Sequence, residues 1–339
     1  MRAYSKKEKA PYHFVPLNER VFYPQDFGAC KDDEISLDKP FRNAQSGEIS
    51  LKLIAKSDIF VGGDEKKSAQ NVNLSTNLAK NSAQRPNSSQ KQPEKITKDF
   101  FKIGDSYAIS ASSVRGVVRT IAEILSFAKC KTSVKDGKSK DGKVVKRRNH
   151  SPQERRLDMC ERVFGEVLGD FALKGRVSFS HFMATKPKIP PFSQERSYTL
   201  MSPNLNSKNN QNKSGFKLYA PQQHLVKAQV VKNKDIITTI HPLGRGSEFV
   251  GKIRYFNLTK IELGLLLLSL SALKNECFYK FGGAKPYGYG DTHIEFSLNA
   301  EQKAHFDECV KSYKEFLKQN GFEVDERLKA LQAASKAQI

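Results

Sequence analysis

The chain is short of cysteine, long apolar runs and acids, and each shortage narrows what it can be. Its five cysteines (Cys30, Cys130, Cys160, Cys277, Cys309) are odd in number and lie far apart. They form no disulfide framework and no Cys-x-x-Cys pair, so they read as the reduced thiols of a cytoplasmic protein. The longest apolar stretch, residues 263–273, is about half of the roughly 20 residues a membrane-spanning helix needs. The first residues are polar and charged, without the apolar segment of a secretory signal. No G-x-S-x-G elbow, Walker loop or H-E-x-x-H pair occurs. His13, His181, His224, His241, His293 and His305 have no nucleophile at a recognisable spacing.

What is present is basic charge. There are 57 Lys and Arg against 36 Asp and Glu, a formal net charge of +21. Such an excess repels itself unless a polyanion neutralises it, so nucleic acid is the first candidate partner and a membrane surface the second. Apolar residues make up 38% of the 339, enough for a core diluted by polar insertions.

Residues 48–61 begin with Ile49, Leu51, Leu53 and Ala55 at period two, which predicts a strand. Residues 62–98 are rich in Asn, Ser, Gln and Lys and read as a long flexible insertion. A helix follows, capped by Ser112 or Ser113, with Val114, Val117, Val118, Ile121, Leu125 and Ala128 on its apolar face. Between Lys129 and Arg156 lie eleven basic residues against three acids, a second insertion. Residues 157–167 suggest a short amphipathic helix. Residues 175–182 suggest a strand with Val177, Phe179 and His181 on one side. Residues 249–256 suggest another strand, and Thr259 with Glu262 forms a capping box before an apolar helix. Residues 289–296 suggest a last strand, and two charged amphipathic helices close the chain. Without its insertions the order is strand, helix, strand, strand, helix, strand. That is an α+β class fold, the ferredoxin-like βαββαβ palm shared with RNA-recognition motifs.

The expected division is an N-terminal extension (1–47), a first half-palm (48–182) with insertions at 62–105 and 129–156, a large insertion (183–248), a second half-palm (249–297) and C-terminal helices (298–339). Three places can carry chemistry. Ser112, Ser113, Arg115 and Arg119 lie where a strand turns into a helix, and amide groups at a helix start favour anions. An ordinary capped helix with solvated arginines fits as well. The loop 282–290 holds Gly282, Gly283, Lys285 and Tyr287, combining backbone freedom, a charge for phosphate and a stacking face. A plain glycine-rich connection is the other reading. Asp64 follows a strand and two glycines, where a carboxylate can act on an RNA 2′-hydroxyl or hold a cation; acids in such loops are more often only solvated. Cys130, His150 and Cys160 are zinc-type ligands, but a structural zinc wants four and no fourth is evident.

These segments, in this order, resemble the RAMP superfamily of CRISPR-associated proteins. Ile59-Phe60-Val61-Gly62-Gly63 resembles the family's first strand and its glycine turn. The segment from Ile109 to Arg119 resembles its Gly-Ser-Ser helix start, with alanine where proline-glycine is common. Phe164-Gly165 followed by Gly175-Arg176-Val177 resembles its central motif, and His181 stands where an acid is frequent. Residues 256–264 and 282–290 resemble the last two motifs. The pattern is nearest to backbone subunits of type III effectors and their derivatives, type VII included. The resemblance implies copies of the chain stacked along a CRISPR RNA and presenting it to target RNA. It also implies partners: a second RAMP subunit, a separate nuclease where this chain does not cut, and no membrane. Residues 183–248 would be a thumb wedging between bases. Asp64 matches the acid that cuts target RNA in active relatives only loosely. A guide-processing endonuclease is the other enzymatic reading, with His293 as its base.

Overall fold

The computed structural model describes residues 12–18, 20–24, 43–67, 95–129, 157–168, 171–190, 197–199, 215–221 and 237–336. The palm is built from β1 (Gln45–Ala55), α1 (Ala111–Leu125), α2 (Met159–Phe164), β2 (Val177–Phe179), β3 (Phe182–Lys186), β4 (Glu248–Leu258), α3 (Lys260–Ser271) and β5 (Asp291–Phe296). The helices α4 (Ala300–Gln319) and α5 (Val324–Ser335) follow. Strand β1 lies between β4 and β5, antiparallel to both, with Ile54 opposite Glu248 and Ala55 opposite Thr292. On its far side β4 pairs with β3 and then β2. The sheet therefore runs fourth, first, third, second in βαββαβ terms, which is the ferredoxin-like arrangement the sequence predicts. A hairpin of Lys102–Ile103 and Ser106–Ile109 widens one edge and Tyr279–Lys280 the other.

The alternation in β1 decides which face is covered. Ile49, Leu51, Leu53 and Ala55 are wholly buried, in one core with the apolar residues of α1 and α3. Helix α3 opens on the predicted capping box, with Thr259 Oγ1 accepting from the Glu262 N–H and Glu262 accepting from the Thr259 N–H. It is buried on nearly every side because the sheet covers one face and α4 the other. Gly264 permits that sandwich, since a Cβ there would collide with the Cys309 carbonyl of α4.

Several expectations are corrected. Ser112 and Ser113 do not cap α1: Ser110 does, its Oγ accepting from the Ser113 N–H at 3.3 Å. The segment 157–167 is not amphipathic, because every residue of α2 is buried. The second strand breaks at Ser180 and His181. Ser180 Oγ accepts from the Lys252 N–H at 2.8 Å, a bond a ladder carbonyl would otherwise take. The phase slips there, so His181 is exposed and Phe182 is fully buried. Residues 183–186, expected at the start of the thumb, continue from Phe182 as a palm strand. The insertion 62–105 is also structured at both ends. Gly62–Lys67 pairs with Lys95–Phe100, which pairs in parallel with Ile237–Ile240, itself joined to Ser197–Thr199. Phe100 anchors this small sheet by stacking on Phe249 of the palm, 6.2 Å between ring centres. Gly215–Tyr219 reaches back to pair with Tyr12–Pro16. No helix among the described residues is long and apolar enough to cross a membrane.

Candidate nucleic-acid interface

The open face of the sheet is where RNA-recognition motifs stack bases on aromatic side chains. Here it has a different character. Lys52 pairs with Glu295 at 3.0 Å, Arg254 with Glu48 at 3.1 Å and Lys186 with Glu248 at 3.2 Å, leaving the face close to neutral. Its central positions are Lys52, Ile54, Val250 and Lys252, with no aromatic among them.

A second group of basic side chains gathers elsewhere. The first turns of α1, the strand Gly215–Tyr219, Tyr279–Lys280 and the glycine loop enclose a cavity of about 280 Å³. Ser112, Ser113, Lys217, Lys280 and Lys285 line it, with Tyr219 beside them. No acid stands in the first turn of α1, so its positive end is uncompensated. Lys280 is buried, its Nζ paired with Asp291 Oδ1 at 2.7 Å and donating to the Tyr289 carbonyl at 3.3 Å. Burial lowers the Lys280 pKa, and the Asp291 charge opposes that shift. Lys285 is half-buried, with its pKa pushed down by burial and then by Lys280. Among the described residues its ammonium has no carboxylate within ion-pair range. Lys217 lies 3.9 Å above the Tyr12 ring and 5.1 Å above that of Tyr219, held by π-faces instead of a counter-charge. Lys217, Lys285, two serine hydroxyls and a helix start thus bring anion-attracting groups to one cavity, with the Lys280–Asp291 pair beside them.

The loop that carries Lys285 is a short 3-10 turn, Lys285–Tyr287, between left-handed Ala284 and Gly288. Gly282 is left-handed too, and a Cβ there would overlap the Phe60 carbonyl. The Gly283 N–H donates to that carbonyl at 2.7 Å, and the Gly290 N–H donates to the Asp58 carbonyl at 2.8 Å. Gly282 and Gly283 thus clip the loop to the exit of β1, and the Gly283 amide is not presented to a ligand. Tyr287 packs against the core and does not line the cavity.

Two predicted phosphate ligands are committed inside the chain. Arg119 bonds Glu123 at 3.1 Å and Glu166 at 3.2 Å. Arg115 donates to the Phe164 carbonyl and lies over the Phe164 ring, its pKa lowered by burial and by Arg119. Of the zinc-type residues, Cys130 and His150 lie outside the described residues. Cys160 is buried in α2 with its Sγ against the Arg119 carbonyl. No group of three His, Cys, Asp or Glu among the described residues could hold a metal. His293 sits on β5, where its ring stacks on Phe278 and its Nε2–H donates to the Asn275 carbonyl at 3.0 Å. Asp64 is a strand residue, not the loop residue expected. Lys217 and Lys280 have no motif signal; only folding brings them to the cavity.

The motif arginine Arg176 has a structural task. Buried with Arg162 and Glu262, it bonds both Glu262 carboxylate oxygens and the Arg162 carbonyl. Arg162 Nε lies 3.6 Å from the same carboxylate. This ion-paired junction ties α2, β2 and α3 together.

The architecture is thus a ferredoxin-like palm with a basic cavity at one helix start and a glycine loop clipped to the exit of its first strand. The sequence pattern of the RAMP superfamily matches residues 52–291, and the chain belongs to that superfamily. No curated protein matches it. Among solved structures it is similar to a chain described as "Type IV-B CRISPR Complex", at 17% identity and a TM-score of 0.37, covering 75% of this chain and 92% of that one. It is also similar to Csc2 of Thermofilum pendens, at 17% identity and a TM-score of 0.35, covering 90% of each.

Proposed function

We propose that this chain is an RNA-binding subunit of a CRISPR effector complex, which holds the guide RNA by its phosphates at the cavity between α1 and the glycine loop. The observation that carries this reading is the convergence of Ser112, Ser113, Lys217, Lys280 and Lys285 in one cavity of a strongly basic RAMP protein. The near-neutral open sheet face supports it, because it leaves this end of the palm as the basic surface. In this reading further copies stack along the guide beside other effector subunits and present it to target RNA, in a type III or type III-derived complex.

The test is purification of the chain from cells carrying a CRISPR array, followed by sequencing of the RNA it retains. A defined guide is the expected result; random RNA on a monomer would overturn the guide assignment. Lys285→Ala should weaken RNA binding and reduce the slope of log affinity against log salt by about one ion's share. An unchanged slope would remove Lys285 from the interface.

A further inference from the structure

The cavity beside α1 has an apolar half that phosphate contacts alone do not use. Its lining changes along the helix. Ser112 and Ser113 come first, Gly116 and Val117 a turn later, and Thr120 and Ile121 a turn beyond those. From Ser113 to Ile121 is eight residues, about 12 Å of helix. Leu218, Leu273 and Phe278 extend the apolar wall from other parts of the fold. The cavity thus joins an apolar wall to the ammonium groups of Lys217 and Lys285.

Gly116 sits in the middle of that wall. A glycine inside a helix destabilises it relative to alanine. Nothing in the fold around it calls for one. Helix α1 runs unbroken through this position, and the Thr120 hydroxyl donates to the Gly116 carbonyl at 3.0 Å. A Cβ on Gly116 would meet no atom within 4 Å. The bare backbone therefore faces open space, where a flat group can lie close against the main chain. Size narrows the occupant further. At about 280 Å³ the cavity falls just under the roughly 300–1,000 Å³ of sites for drug-sized ligands, which suits one small molecule and not a length of strand.

We infer that this cavity takes one nucleotide whole, with base and sugar against Gly116 and the apolar wall and the phosphate on Lys217 and Lys285, and so binds a nucleoside monophosphate without any strand; this rests on the reading above that the lysines hold phosphate. Inorganic phosphate offers only the charged head and a nucleoside only the apolar body. Each binds more weakly than the two joined, because the joined ligand loses its freedom once for both contacts. A seated nucleotide occupies the lysines that guide phosphates use, so the two compete. Two sources share this chemistry: a free nucleotide, and the unstacked terminal nucleotide of an RNA.

The test is isothermal titration calorimetry of the full chain with adenosine and uridine 5′-monophosphates, their nucleosides and inorganic phosphate, together with displacement of a labelled single-stranded RNA. At least one monophosphate should bind about tenfold or more tighter than inorganic phosphate or its own nucleoside, and should displace the RNA. Gly116→Leu fills the cavity from a helical backbone that favours leucine. It should lower nucleotide affinity about tenfold or more without lowering the melting temperature. Gly116→Ala is the second variant, with a smaller loss of affinity and a raised melting temperature. A 5′-phosphorylated RNA that displaces the nucleotide better than the same RNA circularised identifies a strand end as the source, and equal displacement identifies the free nucleotide. A monophosphate that binds no tighter than inorganic phosphate, or nucleotide binding that both Gly116 variants leave intact, overturns the inference. RNA binding that is weakened by Lys285→Ala would then still stand by itself. Nucleotide binding in a chain that binds no RNA overturns the guide-holding reading alone.

Discussion

Replacing Glu262 by alanine attacks the junction on which the palm is hung. Its carboxylate is wholly buried, bonds Arg176 through both oxygens, lies 3.6 Å from Arg162 Nε and closes the N-terminal box of α3. Removing one partner of a buried ion pair typically costs about 3–5 kcal/mol, because the remaining charge stays buried without its counter-ion. Loss of the Glu262 half of the capping box, which leaves the Thr259 N–H without its acceptor, adds about 1 kcal/mol. The sum, about 4–6 kcal/mol, is a large share of the roughly 5–15 kcal/mol that holds a native protein together. At about 2–4 °C per kcal/mol for a large domain, the melting temperature should fall by about 8–24 °C. Urea unfolding followed by circular dichroism measures the loss directly. Glu262→Gln keeps the cap but not the charge, and should fall between wild type and alanine. Arg176→Met combined with Glu262→Met should cost less than the two single changes summed, since charge and counter-charge leave together. A melting temperature for Glu262→Ala equal to that of wild type would refute the argument. So would strict additivity in the double variant.

Three further outcomes follow from the same structure. Gly282→Ala places a methyl group against the Phe60 carbonyl in a left-handed backbone and should lower the melting temperature, read by differential scanning calorimetry. Burial, and then the charge of Glu161, raises the Asp158 pKa from 3.8 to about 6. The protonated form is therefore favoured in the folded state, and stability present below about pH 4 should decline as pH rises through about 6, by up to about 3 kcal/mol. Asp158→Asn should flatten that slope in urea titrations. Arg119→Ala should lower stability by breaking its pairs with Glu123 and Glu166, and leave the salt slope of RNA binding unchanged.

The palm was legible in the sequence because its signals are local and agree with one another. Ile49, Leu51, Leu53 and Ala55 show period two, Thr259 and Glu262 form a box, and both survive in the fold. The order of strands could be read for the same reason. The site was only half legible. Ser112, Ser113 and Lys285 meet in one cavity, but Lys217 and Lys280 join them from distant strands without any motif. Arg115 and Arg119 look like phosphate ligands by spacing alone, and sequence cannot show that Glu166 and the Phe164 carbonyl claim them first. The break at Ser180 was invisible because it depends on a hydroxyl replacing a carbonyl across the sheet. The pairing of Asp99 with His241 needs two strands 142 residues apart to lie side by side, a relation no local pattern encodes.

The central place of β1 bears on how the chain is made. Both strands that flank it, β4 and β5, are translated long after it, β4 beginning about 190 residues later. At usual rates of synthesis, β1 waits roughly 10–40 s with both edges open and its apolar row unpaired. An open-edged apolar strand is a template for pairing with other chains. The nascent protein thus depends on being shielded until its final third emerges, and a stall before residue 248 should yield aggregates rather than a half-built palm.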